Sequence, residues 1–206
     1  MMRSEAVTAF DLEAEPDSLR DAYGRNSFGE GCLLARRLIE RGVPFIEVSL
    51  NGVDGNSGIG WDTHQDNFAG VRRLCEVLDP AWATLLTDLH SRGLLESTLV
   101  IWMGEFGRTP QIVADRSGRD HFPLAWSTAL CGGGIRGGQV VGRTSADGMQ
   151  VDERPVSIAD FLATISLALG LDPGTQNISN VGRPIRLVDA NANPVREVLR
   201  SQAQPH

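Results

Sequence analysis

Two histidines in this sequence have aspartates close beside them: Asp62-Thr63-His64 and Asp120-His121. Imidazole nitrogens combined with a carboxylate suit zinc, manganese or iron. In an extended segment, residues two apart project to one face, so Asp62 and His64 can address one ion. The competing reading assigns Asp62 and Asp120 to turn capping and the histidines to ordinary polar contacts. Glu105 lies between Gly104 and Gly107 at the end of an apolar run, where glycines let the backbone turn sharply beside a ligand. Arg108 follows it, and Arg119 precedes Asp120-His121. Guanidinium forks match tetrahedral oxyanions such as phosphate or sulfate. The alternative is a structural ion pair between Glu105 and Arg108. Of the other histidines, His90 falls near a helix end, where a cation suits the macrodipole, and His206 is the last residue.

A nucleophile is harder to find. The chain has no G-x-S-x-G elbow. The run Gly132 to Gly138 lacks both the Lys-Ser/Thr ending and the register of a nucleotide loop, and reads as a tight turn. Ser127 and Thr128 fall inside a strand pattern, Cys131 reads as buried, and Thr109 has no histidine paired with it in sequence. None is nominated.

These groups need elements to position them. Cys32, Leu33, Leu38 and Ile39 recur at helical spacing from Ser27, and Gly42 supplies a left-handed stop. Val43 to Leu50 is short, apolar and partly β-branched, the pattern of a buried strand, with Pro44 at its beginning. A glycine-rich loop, Asn51 to Gly60, leads to Trp61-Asp62-Thr63-His64. Val71, Leu74, Cys75, Leu78, Trp82, Leu85, Leu86 and Leu89 then mark a long amphipathic helix. Pro80 is expected to kink or divide it, and Gly93 to end it. Ser97 to Met103 and Leu124 to Cys131 read as further strands, Gln139 to Gly142 as a short edge strand. Ser157 caps a last helix through Leu169. Continuous apolar strands among helices predict an α/β fold with a mostly parallel sheet, and sites beyond the strands' carboxyl ends. From Arg186 the sequence reads as a loose polar arm.

The chain has 206 residues, 19 basic and 26 acidic, for a net charge of −7. That length suggests one domain, and the acidic balance argues against a nucleic-acid binder. No apolar run approaches the ~18 residues of a membrane span. Three scattered cysteines form neither a disulfide framework nor a CxxC site. The first 18 residues carry five acidic groups and no apolar core, so they are not a secretory signal. As it stands, the chain is expected in the cytoplasm.

Several uncommon blocks occur in order: Tyr23-Gly24 with Cys32 to Leu38, Gly60-Trp61-Asp62-Thr63-His64, Gly104-Glu105-Phe106-Gly107-Arg108-Thr109-Pro110, Gly118-Arg119-Asp120-His121 and Gly132-Gly133-Gly134. Together they resemble the C-terminal half of the domain-of-unknown-function family 1501, grouped with the alkaline phosphatase and sulfatase superfamily. The resemblance implies a three-layer αβα fold, alkaline phosphatase-like and incomplete here. Its implied divisions are an acidic segment over 1–22, the α/β domain over 23–185 and a polar tail over 186–206. It implies Asp62, His64, Glu105, Asp120 and His121 as metal ligands, with one metal shared by Asp62, His64 and His121 and a second faced by Glu105. Phe106 stands where such phosphatases carry a histidine, which weakens that second site. Arg108 and Arg119 would hold the anion. The implied metal is zinc first, with manganese or calcium as alternatives. The implied partner is a small anionic ester or a sulfated or phosphorylated glycan. The superfamily's nucleophile lies upstream of the matched region, so little esterase activity is expected of this chain. Its implied role is a metal-dependent hydrolase of phosphate or sulfate esters, or else a non-catalytic metal- or anion-binding scaffold. Longer members are expected to be exported.

Overall fold

Helix starts and stops follow local chemistry. Asn26 accepts a hydrogen bond from Gly29 N at 2.9 Å and caps α2 (Ser27–Ile39), which follows the short α1 (Asp17–Tyr23). Gly42 takes φ 76° just past α2, a left-handed conformation that costs glycine little. The long apolar stripe forms α3 (Asn67–Ser91), a single helix of 25 residues that runs through Pro80 undivided. Gly93, at φ 69°, closes it. These elements come from a computed structural model that describes residues 7–53 and 60–200. It divides into two units, Met1–Leu95 with Gln111–His121, and Glu96–Pro110 with Phe122–His206.

In the first unit, Tyr23, Phe28, Cys32, Leu33, Leu78 and Ala81 form the core, with Leu50, Trp61 and Trp82 packed against it. Burial pushes the Cys32 thiol up to about 12, so it is an inert core group. A buried ionic network ties the helices together. Arg36, 1% exposed, meets Glu15 at 2.8 Å, Glu40 at 2.8 Å and Asp88 at 2.9 Å. The Tyr23 hydroxyl donates to Asp88 at 3.0 Å. Arg37 pairs with Glu15 and donates to the carbonyls of Ala9 and Thr8 at 2.7 Å each.

The second unit contains β1 (Leu99–Trp102), β2 (Gly107–Arg108), β4 (Ala129–Gly132), β5 (Arg143–Thr144), β6 (Val151–Glu153), α4 (Ile158–Ala168), β7 (Gln176–Ile178) and β8 (Pro184–Arg186); β3 (His121–Phe122) begins on the last residue of the first unit. Ser157 and Asp160 form a reciprocal capping box at the start of α4. Past Arg186 the chain is tied down: Val188 and Val195 are buried, and Val195 N donates to Thr164 Oγ1 at 2.8 Å.

The sheet differs from the expected three-layer αβα architecture. β1 pairs antiparallel with β4, Leu99 opposite Gly132 and Trp102 opposite Ala129. The β5–β6 and β7–β8 ladders are antiparallel and two-stranded as well. Val43–Leu50 forms no strand. Its Ile46, Val48 and Leu50 are half-buried while Phe45 is 81% exposed and Glu47 and Ser49 are exposed. Val48 and Leu50 pack on the helical core, so the run is covered on one side only. A strand inside a parallel sheet is covered on both. Apolarity alone does not distinguish the two arrangements. Gln139–Gly142, expected as an edge strand, is likewise irregular, and the ladder lies just beyond it at β5.

Candidate metal centre

The path of the chain through Asp62-Thr63-His64 is fixed on both sides. Trp61 packs on the core. Thr63 is buried at 5% exposure, and its hydroxyl accepts from Asn67 Nδ2, at the start of α3, at 2.6 Å. Thr63 O also accepts from Arg119 N at 3.1 Å. With Thr63 held inward, Asp62 and His64 lie outside on either side of it. Two successive tight turns, Thr63 N to Trp61 O at 2.9 Å and His64 N to Asp62 O at 3.0 Å, bring their side chains together. The convergence expected of an extended pleat is thus made by turns.

The second strip of chain, 111–121, is clamped to the first. Val113 N donates to Gly118 O at 2.9 Å, closing a turn in which Ser117 has φ 51°. Asp66 N and Asn67 N donate to Arg116 O and Ser117 O at 3.0 Å each. Gly118 passes so close to His64 that an added Cβ would lie 1.7 Å from the His64 carbonyl oxygen. Only glycine fits there. The clamp delivers His121 opposite His64, their ring centroids 4.8 Å apart.

Three ligand atoms then form a small triangle. His64 Nε2 lies 3.1 Å from Asp62 Oδ1, His121 Nε2 lies 2.9 Å from the same oxygen, and the two Nε2 atoms are 3.2 Å apart. Metal–ligand bonds of ~2.0–2.1 Å in tetrahedral geometry place ligand atoms about 3.3 Å from one another. The triangle therefore fits one first-row cation with only small adjustments. The donor set, two nitrogens and one oxygen, suits zinc, whereas calcium takes six to eight oxygens. The histidines and Asp62 remain a third to a half exposed, which leaves a side open for a further ligand.

Asp120 stands behind the triangle. Its Oδ1 lies 2.9 Å from His64 Nδ1 and receives Arg116 Nη2 at 2.5 Å. The cluster of potential ligands found among the described residues comprises Asp62, His64 and His121, without Asp120 or Glu105. Glu105 is exposed in the second unit, and Arg108, in the same unit, lies 6.0 Å over the Phe106 ring. Arg119 Nε donates to Asn67 Oδ1 at 3.2 Å and its guanidinium sits 5.8 Å from the Phe68 ring centre, so it braces the site's frame. Sequence reasoning overlooked Arg116, Asn67 and Gly118 as partners of the site. The Ser117-Gly118 pair was a turn signal that pointed to this fold-back.

The described residues thus define a helical unit with a two-histidine, one-carboxylate cluster at the entrance to its longest helix. The chain matches the model of the family described as "Protein of unknown function (DUF1501)" over residues 1–199, and it belongs to that family. No curated protein and no solved structure matches it. No helix among the described residues is long and apolar enough to cross a membrane.

Proposed function

We propose that this chain is a metal-dependent hydrolase-type domain, related in the order of its ligands to the alkaline phosphatase and sulfatase superfamily, and acting on phosphate or sulfate esters. The observation that carries the reading is the triangle of Asp62 Oδ1, His64 Nε2 and His121 Nε2, with edges of 2.9 to 3.2 Å. Three protein ligands and an open side are the pattern of a catalytic zinc centre rather than a closed structural one. The kinship rests on the donor set and its order along the chain, not on sheet topology. Zinc in such a site supplies Lewis acidity toward an ester oxygen. The chain's own contribution is to hold three donors in place and to present Arg119, in the same unit, as a candidate anion contact; Arg108 and Glu105 lie in the second unit.

One observation favours the alternative, a non-catalytic metal- or anion-binding scaffold. The hydroxyl between the two ligands, Thr63, is buried and engaged by Asn67, so it is not available as a nucleophile. The test combines metal analysis with an activity screen. The hydrolase reading expects about one zinc per chain and turnover of an aryl phosphate or aryl sulfate that disappears in His121→Ala. Zinc with no turnover selects the scaffold. No bound zinc removes the hydrolase reading and leaves only the anion-binding form of the scaffold.

A further inference from the structure

The triangle leaves unexplained why two imidazole Nε2 atoms face each other at 3.2 Å. Neutral imidazole carries its proton on one nitrogen and a lone pair on the other. Free histidine side chains do not hold one tautomer rigidly, and a ligand atom needs its lone pair aimed at the ion. Behind His64 lies the group that decides this. With an ion in the triangle, Asp62 Oδ1 and His64 Nε2 both turn lone pairs toward it, and the 2.9 Å contact between His64 Nδ1 and Asp120 Oδ1 then holds the ring's one proton on Nδ1, because a carboxylate only accepts hydrogen bonds. That leaves the lone pair on Nε2, the atom in the triangle. Arg116 then donates to the same Asp120 oxygen at 2.5 Å. That contact anchors the carboxylate and keeps it turned toward His64.

We infer that Asp120 and Arg116 are positioning residues that hold His64 as an Nε2 ligand, rather than members of the ligand set. The inference rests on the metal reading above. It gives Asp120 a role different from the direct coordination its place beside His121 suggested. The chain Arg116, Asp120, His64 is a carboxylate–histidine support of the kind that fixes ring orientation and raises ligand basicity. The turn from Val113 to Gly118 exists in this account to return Arg116 over Asp120. The i,i+4 contact between them occurs outside any helix, so it is made by the fold-back itself.

The test uses the full chain and zinc as the only probe. Zinc affinity is measured by calorimetry for wild type, Asp120→Ala, Asp120→Glu, Arg116→Leu and His64→Ala. The His64 Nδ1 proton is read in zinc-loaded protein from long-range nitrogen–proton correlation spectra and its exchange with water. Asp120→Ala is expected to weaken zinc by about 10- to 100-fold, still to bind one ion at saturation, and to lose the slow exchange of the Nδ1 proton. Asp120→Glu restores part of both. Arg116→Leu weakens zinc less than Asp120→Ala. Wild type that binds zinc while Asp120→Ala keeps the same affinity and the same slowly exchanging Nδ1 proton overturns the inference and leaves the metal reading standing. So does Arg116→Leu that tightens binding, because it would mean Arg116 holds a true ligand back. Asp120→Ala that abolishes the site as completely as His64→Ala makes Asp120 a ligand and also overturns it. Wild type without stoichiometric zinc fails the metal reading, and this inference with it.

Discussion

At the residue scale, the site depends on a few atoms that have no substitutes. His64 and His121 contribute equivalent nitrogens to the triangle, so His64→Ala and His121→Ala should lower zinc retention by similar amounts, measured by metal analysis after dialysis. Wild type should gain thermal stability from added zinc by mass action, about 2.7 kcal/mol at a hundredfold excess over Kd. Neither variant should show that gain in a thermal melt. Gly118 is the other irreplaceable position. A methyl group there meets the His64 carbonyl, so Gly118→Ala should cost about 1–3 kcal/mol through overpacking and lose zinc as well. A variant that binds zinc normally would show that the clamp tolerates movement.

At the element scale, helix caps and the buried ionic network fix where helices start and how they meet. Ser157→Ala removes one half of the α4 capping box and should cost about 1 kcal/mol in denaturant unfolding. The network around Arg36 is costlier to break. Arg36→Ala removes the cation shared by Glu15, Glu40 and Asp88 and leaves Glu15 to Arg37, and Asp88 and Glu40 to the more exposed Arg92, a loss of about 3 kcal/mol, at the low end for breaking a buried pair. The same network sets an acid limit. Burial raises the Glu15 pKa, and the hydrogen bonds from Arg36 and Arg37 outweigh it, so the carboxyl sits below its ordinary 4.5. Asp160 is lowered too, by the backbone N–H of Asn193 and then by Ser157. Groups lowered on folding add stability that is fully present above their unfolded values and is lost as pH falls through the folded ones. Urea midpoints should therefore fall between roughly pH 5 and pH 3. The fall should be smaller in Glu15→Gln, whose starting stability is already lower.

At the scale of the whole molecule, the Asp62, His64 and His121 cluster and its support belong to one of the two units. Zinc should accordingly slow amide exchange in a local pattern. The clamp amides, Arg119 to Thr63, Asp66 to Arg116 and Asn67 to Ser117, should gain protection, whereas those of α4 in the second unit should change little. Protected amides reveal which cooperative segment a ligand stabilises. Uniform protection across both units would show that zinc acts on more than the site.

The helices and the members of the Asp62, His64 and His121 cluster were legible in the residues. Helix periodicity, caps and stops are local, and Asn26, Gly42, Ser157 and Gly93 mark them within a few positions. Asp62, His64 and His121 stood out because histidine is scarce here and each lies near an aspartate. The strand partners were not legible. Whether Leu99–Trp102 pairs with Ala129–Gly132 or with Val43–Leu50 depends on contacts between residues distant in sequence, and apolarity is common to all three runs. The roles inside the site were likewise decided by tertiary structure. Nothing in the order Arg116, Arg119, Asp120, His121 says which arginine holds Asp120 or which carboxylate faces the triangle. The amino-acid sequence by itself determined which donors are present and where helices begin and end. Only the folded chain, through the Val113–Gly118 turn packed against His64, decided which donors meet and which stand one hydrogen bond behind, because three-dimensional convergence has no local signature.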